Sequence, residues 1–192
     1  MGNKSIQKKQ YIVEQAAKVF AQRGYKAVTM KDIVEACDIS RGGLYLYFKD
    51  TTEVFEAVLA LKENTALAVL KTADGEPGEV LLSYLNEKKK EITKKKDNLE
   101  VAAFEYAFAM KTEKKDSLLK KQYQEETKAL EKLIADGVKK KWMVCDNPQA
   151  TAKNMMCTLE GLKVTAVSYS VSSDAFDQAI EYMLGSVGLT TK

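Results

Sequence analysis

The chain has 192 residues, of which 45% are hydrophobic and 30% charged, and its net charge is +3. That length holds one domain, or two small ones, with a real core. The absence of histidine excludes a His-dependent catalytic triad and a His-ligated zinc site. Three cysteines, Cys37, Cys145 and Cys157, show no metal-binding spacing; they read as reduced structural thiols or as a redox switch. No serine, cysteine or lysine motif is tied to a recognisable base, so the chain reads as a non-enzyme with no catalytic, cofactor or metal site. The N-terminal lysines have no apolar core behind them, and no run approaches the roughly 18 apolar residues of a membrane span. A cytoplasmic protein without membrane partners is therefore expected. Charge is unevenly placed. Residues 1–50 hold nine Lys/Arg against five acids, a net of +4, while the remaining 142 hold 21 against 22. A basic N-terminal module on a neutral body suits DNA binding through the first part alone.

Almost every segment reads helical, and the most informative runs from Thr29 to Lys49. Thr29 caps a helix starting at Met30, with Asp32 placed to reach back to the Thr29 amide as a capping box. Ile33 and Ala36 share a face of that helix. Asp38 and Ile39 break the rhythm, since Asp tolerates turn geometry and Ile39 can anchor the turn in a core. Ser40 caps a second helix running to about Tyr47. Leu44 and Phe48, spaced i, i+4, point into the core. Arg41, Gly42, Gly43, Tyr45 and Tyr47 are left on or beside the outward face, with Lys49 just beyond. Such a helix suits the major groove. The glycine pair costs about 1 kcal/mol per residue relative to Ala in a helix; it marks either a frayed start or a close approach of backbone to DNA. Arg41 can read guanine or clamp a phosphate, or be ordinary surface charge.

These residues resemble the helix-turn-helix of TetR-type transcriptional regulators, whose second half runs Gly-Val-Ser-Lys/Arg-Gly-Thr-Leu-Tyr-x-His/Tyr-Phe-Lys. The match lies in Ser40, Arg41, Gly42, Leu44, Tyr45, Tyr47, Phe48 and Lys49. Upstream, the stretch from Tyr11 to Tyr25 looks like that family's first helix, with Ala16, Phe20, Gly24 and Tyr25 in place, and Thr29 matches the cap of its second. The resemblance is specific over about the first 60 residues. The chain departs at Asp38, where the family usually has Gly, at Gly43, where Thr is common, and at Thr51, where a phosphate-binding Lys is frequent. The resemblance therefore implies the docking mode but not the DNA sequence read.

Asp50 and Glu53 can cap a further helix that continues past Leu61 toward Leu70 and ends near Asp74-Gly75. The resemblance implies that this fourth helix, about 51–72, connects the DNA-binding module to the body. Pro77 helps start a helix from about Gly78 through Lys96. Its lysine clusters, 88–90 and 94–96, read as a solvated face or as an extension of the DNA footprint. Residues 98–110 are strongly apolar. Glu105 sits among their aromatics, either exposed or placed to meet a cationic ligand. A long charged helix follows from about Glu113 to Lys141. Asn147-Pro148 restarts the chain as cap and first helical residue. Small residues at Thr158, Gly161, Thr165, Ser168 and Ser172 then recur at steps of three and four, a groove that can admit another helix. Ser173 or Asp174 caps a last helix carrying Phe176, Ala179, Ile180, Met183 and Leu184.

The expected fold is all-α: an N-terminal three-helix helix-turn-helix DNA-binding module over residues 1–50, and a larger helical ligand-binding and dimerisation domain over 51–192. The DNA-binding residues expected are Thr29, Lys31, Ser40, Arg41, Gly42, Gly43, Tyr45, Tyr47 and Lys49. The two C-terminal helices suggest a symmetric homodimer interface that includes Thr158, Gly161, Thr165, Phe176, Ile180 and Met183. Phe104, Phe108, Tyr123, Met155 and Tyr169 are candidates for the wall of an effector pocket. The function that follows is a transcriptional regulator, a repressor released from a palindromic double-stranded DNA operator by an unidentified small-molecule effector. The alternative is a ligand-independent DNA-binding regulator with a filled core.

Overall fold

The computed structural model describes residues 3–61, 65–94, 98–113 and 117–190. Among them are ten helices and no strand: α1 (Asn3–Arg23), α2 (Met30–Cys37), α3 (Arg41–Tyr45), α4 (Thr51–Leu61), α5 (Thr65–Thr72), α6 (Pro77–Thr93), α7 (Glu100–Thr112), α8 (Leu118–Lys139), α9 (Pro148–Ser168) and α10 (Ser173–Gly185). The all-α fold expected from the sequence is the fold observed. The single helix expected over 51–72 is described as α4 and α5, with residues 62–64 outside the described residues.

Helix starts follow local chemistry. Pro77 and Pro148 occupy the first positions of α6 and α9, where a missing N–H costs nothing. Asn147 Oδ1 accepts the Ala150 amide at 3.0 Å. The cap of α10 is Ser172, one residue before the expected Ser173, and its hydroxyl accepts the Ala175 amide at 3.1 Å. The expected start of α8 near Glu113 is replaced by Leu118, with residues 114–116 outside the described set.

The chain divides into two compact units, residues 1–63 with 95–120, and residues 64–94 with 121–192. The first has a core built by Ile12, Ala16 and Phe20 of α1, Ile33 and Cys37 of α2, Leu44, Phe48, and Val54 and Phe55 of α4. Ala102, Tyr106 and Met110 of α7, from far along the chain, complete it. Phe55 lies between Phe20 and Tyr106, at centroid distances of 4.7 and 5.4 Å. Burying each such aromatic contributes about 1.5–3 kcal/mol.

The second unit packs Leu81, Tyr84 and Leu85 of α6 with Leu130 and Ile134 of α8, Met155, Met156 and Leu159 of α9, and Phe176, Ile180, Met183 and Leu184 of α10. Inside it lies a charge pair. Lys88 Nζ is 2.5 Å from Glu126 Oε1, and the two side chains are 4% and 6% exposed. Tyr84 Oη donates to the same carboxylate at 2.9 Å, and Glu91 lies 3.4 Å from Lys88. Burial, reinforced by the Glu126 carboxylate, raises the Tyr84 hydroxyl well above its ordinary pKa, so it remains a donor. The solvated face expected for lysines 88–90 holds at exposed Lys90 and is corrected at Lys88. Lys88 is core, because an i, i+4 step from Tyr84 puts it on the buried face of α6. Lys89 pairs with Asp177 of α10 at 2.5 Å, and Lys90 with Glu87 at 2.6 Å. Of the second cluster, 95 and 96 lie outside the described residues.

Candidate nucleic-acid interface

The interface begins with the α2 cap. The Thr29 amide donates to Asp32 Oδ2 at 2.8 Å, the Asp32 amide donates to Thr29 Oγ1 at 3.3 Å, and the Thr29 hydroxyl donates to Asp32 at 2.6 Å. Those Thr29 hydrogen bonds, with Arg23 Nη1 2.6 Å away, hold the Asp32 carboxyl below its ordinary pKa. Both cap groups are therefore committed to the helix, and Thr29 itself is exposed.

The turn closes at Asp38, whose backbone lies at φ 50, ψ 50, in the left-handed region. An L-residue is strained there by roughly 1–2 kcal/mol, less for Asp than for most, which is why glycine suits the position. The substitution at this position keeps the turn. The buried stripe of α2 is Ile33 and Cys37, both 3% exposed or less. Ala36, expected on the inner face, is exposed, because the i, i+4 step from Ile33 lands on Cys37.

The second helix of the motif, α3, is shorter than expected, ending at Tyr45 with Leu46 as its cap. Ser40 Oγ accepts the Gly43 amide at 3.1 Å, and Leu44 and Phe48 lock the segment inward at 0% and 2% exposure. Arg41 and Gly42 are exposed, Gly43 and Tyr47 half-buried. Tyr45 is 44% exposed, and the Arg41 guanidinium lies 5.6 Å from its ring centroid. This i, i+4 stacking presents both side chains from one face. A Cβ on Gly42 would meet nothing within 4 Å, whereas one on Gly43 would come 3.1 Å from Ser40 Oγ. Neither glycine is imposed by packing alone: Gly42 stands in open space, and at Gly43 only the Ser40 hydroxyl would have to give way slightly. Lys31 and Lys49 are exposed; the Lys49 amide donates to Glu53 Oε2 at 2.7 Å, while Glu53's own amide donates to Asp50 Oδ1 at 2.8 Å. Leu46, 82% exposed beside these groups, escaped the sequence reading. Its signal was an apolar residue out of phase with Leu44 and Phe48.

Glu105 is neither exposed for a ligand nor free. Its carboxylate accepts the Lys26 amide at 2.9 Å, and Oε2 lies 2.6 Å from where a Gly24 Cβ would stand, at a residue with φ +77. Gly24 is thus required twice, by conformation and by the carboxylate. Next to it, Tyr106 Oη donates to Glu56 of α4 at 2.7 Å. Burial, then that carboxylate, raises the hydroxyl's pKa.

The other expected site residues fall as follows. Phe104, half-buried, and Phe108, 63% exposed, belong to α7 in the first unit. Phe108 is two residues from buried Tyr106 and so points away from that core. In the second unit Tyr123 is half-buried, Met155 is 2% exposed, and Tyr169 is 83% exposed at the end of α9. The five are thus divided between the two units. Gly161 and Thr165 are exposed on α9 and Thr158 is half-buried. Phe176, Ile180 and Met183 are buried within the chain itself, which corrects their reading as interface residues: the apolar stripe of α10 covers its own core. The apolar side chains these helices leave outside are Val164, Val167 and Tyr182.

The chain thus has a helix-turn-helix unit and a second all-helical unit, and comparison with known proteins places both. Residues 12–58 match the family model for bacterial regulatory proteins of the tetR family, and residues 80–175 match that for a tetracyclin repressor-like C-terminal domain. The chain belongs to the TetR family of transcriptional regulators. It is 33% identical over 130 residues to YfiR of Bacillus subtilis, an uncharacterized helix-turn-helix regulator, covering 66% of this chain and 63% of that one. It is 34% identical over 71 residues to the transcriptional repressor AcnR of Corynebacterium efficiens, covering 37% and 36%. The chain thus spans less than two thirds of either relative. Salmonella enterica GusR superposes with a TM-score of 0.74 at 20% identity, covering 94% of this chain and 95% of that one. Among the described residues no helix is long and apolar enough to cross a membrane.

Proposed function

We propose that this protein is a homodimeric DNA-binding repressor that places α3 of each subunit in successive major grooves of a near-palindromic operator. The carrying observation is the α3 face: Arg41 and Tyr45 stacked outward on a helix that Ser40 caps and Leu44 and Phe48 lock. Arg41, Gly42 and Tyr45 face base edges, while Tyr47, Lys49, Lys31 and the edges of Thr29, Ser40 and Gly43 hold backbone. Residues 1–50 carry DNA binding; the remainder carries dimerisation and an effector site. The dimer face uses Thr158, Gly161, Thr165 and the exposed Val164, Val167 and Tyr182. An effector bound in the body favours a state with the wrong recognition-helix spacing and so lowers DNA affinity. The burial of Met155 and Met156, at 2% and 1% exposure, favours a second reading in which these side chains are core and the regulator needs no ligand.

Anisotropy titration of a duplex selected from a random pool tests the interface. Arg41→Ala costs about 1–3 kcal/mol of binding and relaxes specificity, whereas Lys49→Ala weakens all sequences alike and lowers the salt slope by about one. Both side chains are exposed, so melting temperature holds nearly constant. Affinity unchanged in both variants overturns the assignment.

A further inference from the structure

The first unit contains a groove of about 450 Å³, open to solvent on one side and lined mainly by apolar atoms. Its walls are Ile6 and Lys9 of α1, Leu46 and Tyr47 from the turn after α3, and Ala57 and Ala60 of α4. That volume lies within the roughly 300–1,000 Å³ typical of small-molecule sites. Three large apolar side chains of its lining, Ile6, Leu46 and Leu61, remain 56%, 82% and 46% exposed. Lys9 brings the one cation of the lining. Its Nζ sits 5.1 Å from the Phe48 ring centroid, and no carboxylate among the described residues pairs with it, while neighbouring Gln10 is already bound to Glu14 at 3.1 Å. An apolar trough ending in a positive charge without a carboxylate partner selects a molecule with the opposite ends: a hydrocarbon body and an anionic head.

We propose that this groove binds an amphipathic anion, a medium-length alkyl chain with its carboxylate at Lys9, and that its occupancy weakens DNA binding directly. The chain lies along Ile6, Ala57 and Ala60 and covers Leu46, burying apolar surface at about 25 cal/mol per Å². Two effects oppose DNA. The ligand engages Tyr47 and Leu46, which border the recognition helix, and its carboxylate neutralises a cation of the basic module. This control acts within the helix-turn-helix unit and does not pass through the body; its effect on DNA rests on the proposed docking of α3, whereas the binding itself does not.

Calorimetric titration of decanoate, below its micelle concentration, into the full chain tests the site. One saturable site per chain is expected. Lys9→Gln weakens it by about tenfold, the worth of one charge-assisted contact, while decanol binds both forms alike. Ala57→Leu fills the groove and abolishes binding. Ala60→Phe, at an exposed position on its rim, does the same should the first variant melt early. Decanoate also lowers affinity for the selected duplex in the wild type and not in Ala60→Phe. No saturable binding, or binding that survives both Lys9→Gln and Ala60→Phe, overturns the proposal. Duplex binding without decanoate tests the docking separately.

Discussion

Glu126→Ala is expected to lower folding stability by about 3 kcal/mol, because it leaves the buried Lys88 ammonium with only the Glu91 carboxylate, 3.4 Å away, to offset its charge. Neither charge reaches water: the side chains are 4% and 6% exposed. Each was desolvated on folding, and their mutual attraction, the hydrogen bond from Tyr84 and the more distant Glu91 carboxylate offset that cost. Removing the carboxylate also takes away the acceptor of the Tyr84 hydroxyl, leaving the Met156 sulfur, 3.3 Å away, as a weak substitute. The double variant Lys88→Met, Glu126→Leu removes both charges and is expected to recover most of the loss, since well-packed apolar replacements of buried pairs are often neutral or stabilising. Urea unfolding of the three proteins decides this. A double variant no more stable than Glu126→Ala would show that the pair holds the core by packing and not by charge compensation.

The second large effect is on assembly. Gly161→Leu leaves the single chain intact, because a Cβ at Gly161 meets no atom within 4 Å. Replacing a helical glycine even favours the helix by about 0.8–1 kcal/mol. If α9 packs against its symmetry mate through Thr158, Gly161 and Thr165, a leucine at the closest approach separates the two helices and the dimer is lost. Operator affinity falls with it, since one half-site remains for each chain. Analytical ultracentrifugation should show a monomer with undiminished helical circular dichroism. A dimer of unchanged affinity would move the interface off this face.

What could be read from the sequence was local. Thr29 with Asp32, Ser40 and Asn147 announce helix starts through bonds spanning three residues, and each of those caps is present in the structure; the prolines at 77 and 148 announce theirs by standing at the first helical positions. Leu44 and Phe48 follow helical periodicity into the core. The unread part was long-range. No local pattern says that α7 completes the core of the helix-turn-helix unit, or that Glu105 reaches the Gly24–Lys26 backbone some 79 residues away. Lysines 88–90 look like any solvated run until α8 brings Glu126 against the first of them. An amphipathic stripe states that a helix face is covered but not by what, so Phe176, Ile180 and Met183 fitted an interface as well as a core. Leu46 was hidden for the converse reason: its neighbours Tyr45 and Tyr47 carried the motif.

The central claim is that two copies of α3 read one two-fold DNA site. The most direct measurement is selection of duplexes from a random pool, followed by hydroxyl-radical footprinting of the winner. A near-palindrome with two equal protected half-sites, centred about 34 Å apart or a multiple of it, is expected. Tyr45→Ala should blur both halves together. Failure to enrich any sequence, or a single asymmetric footprint, would contradict the claim.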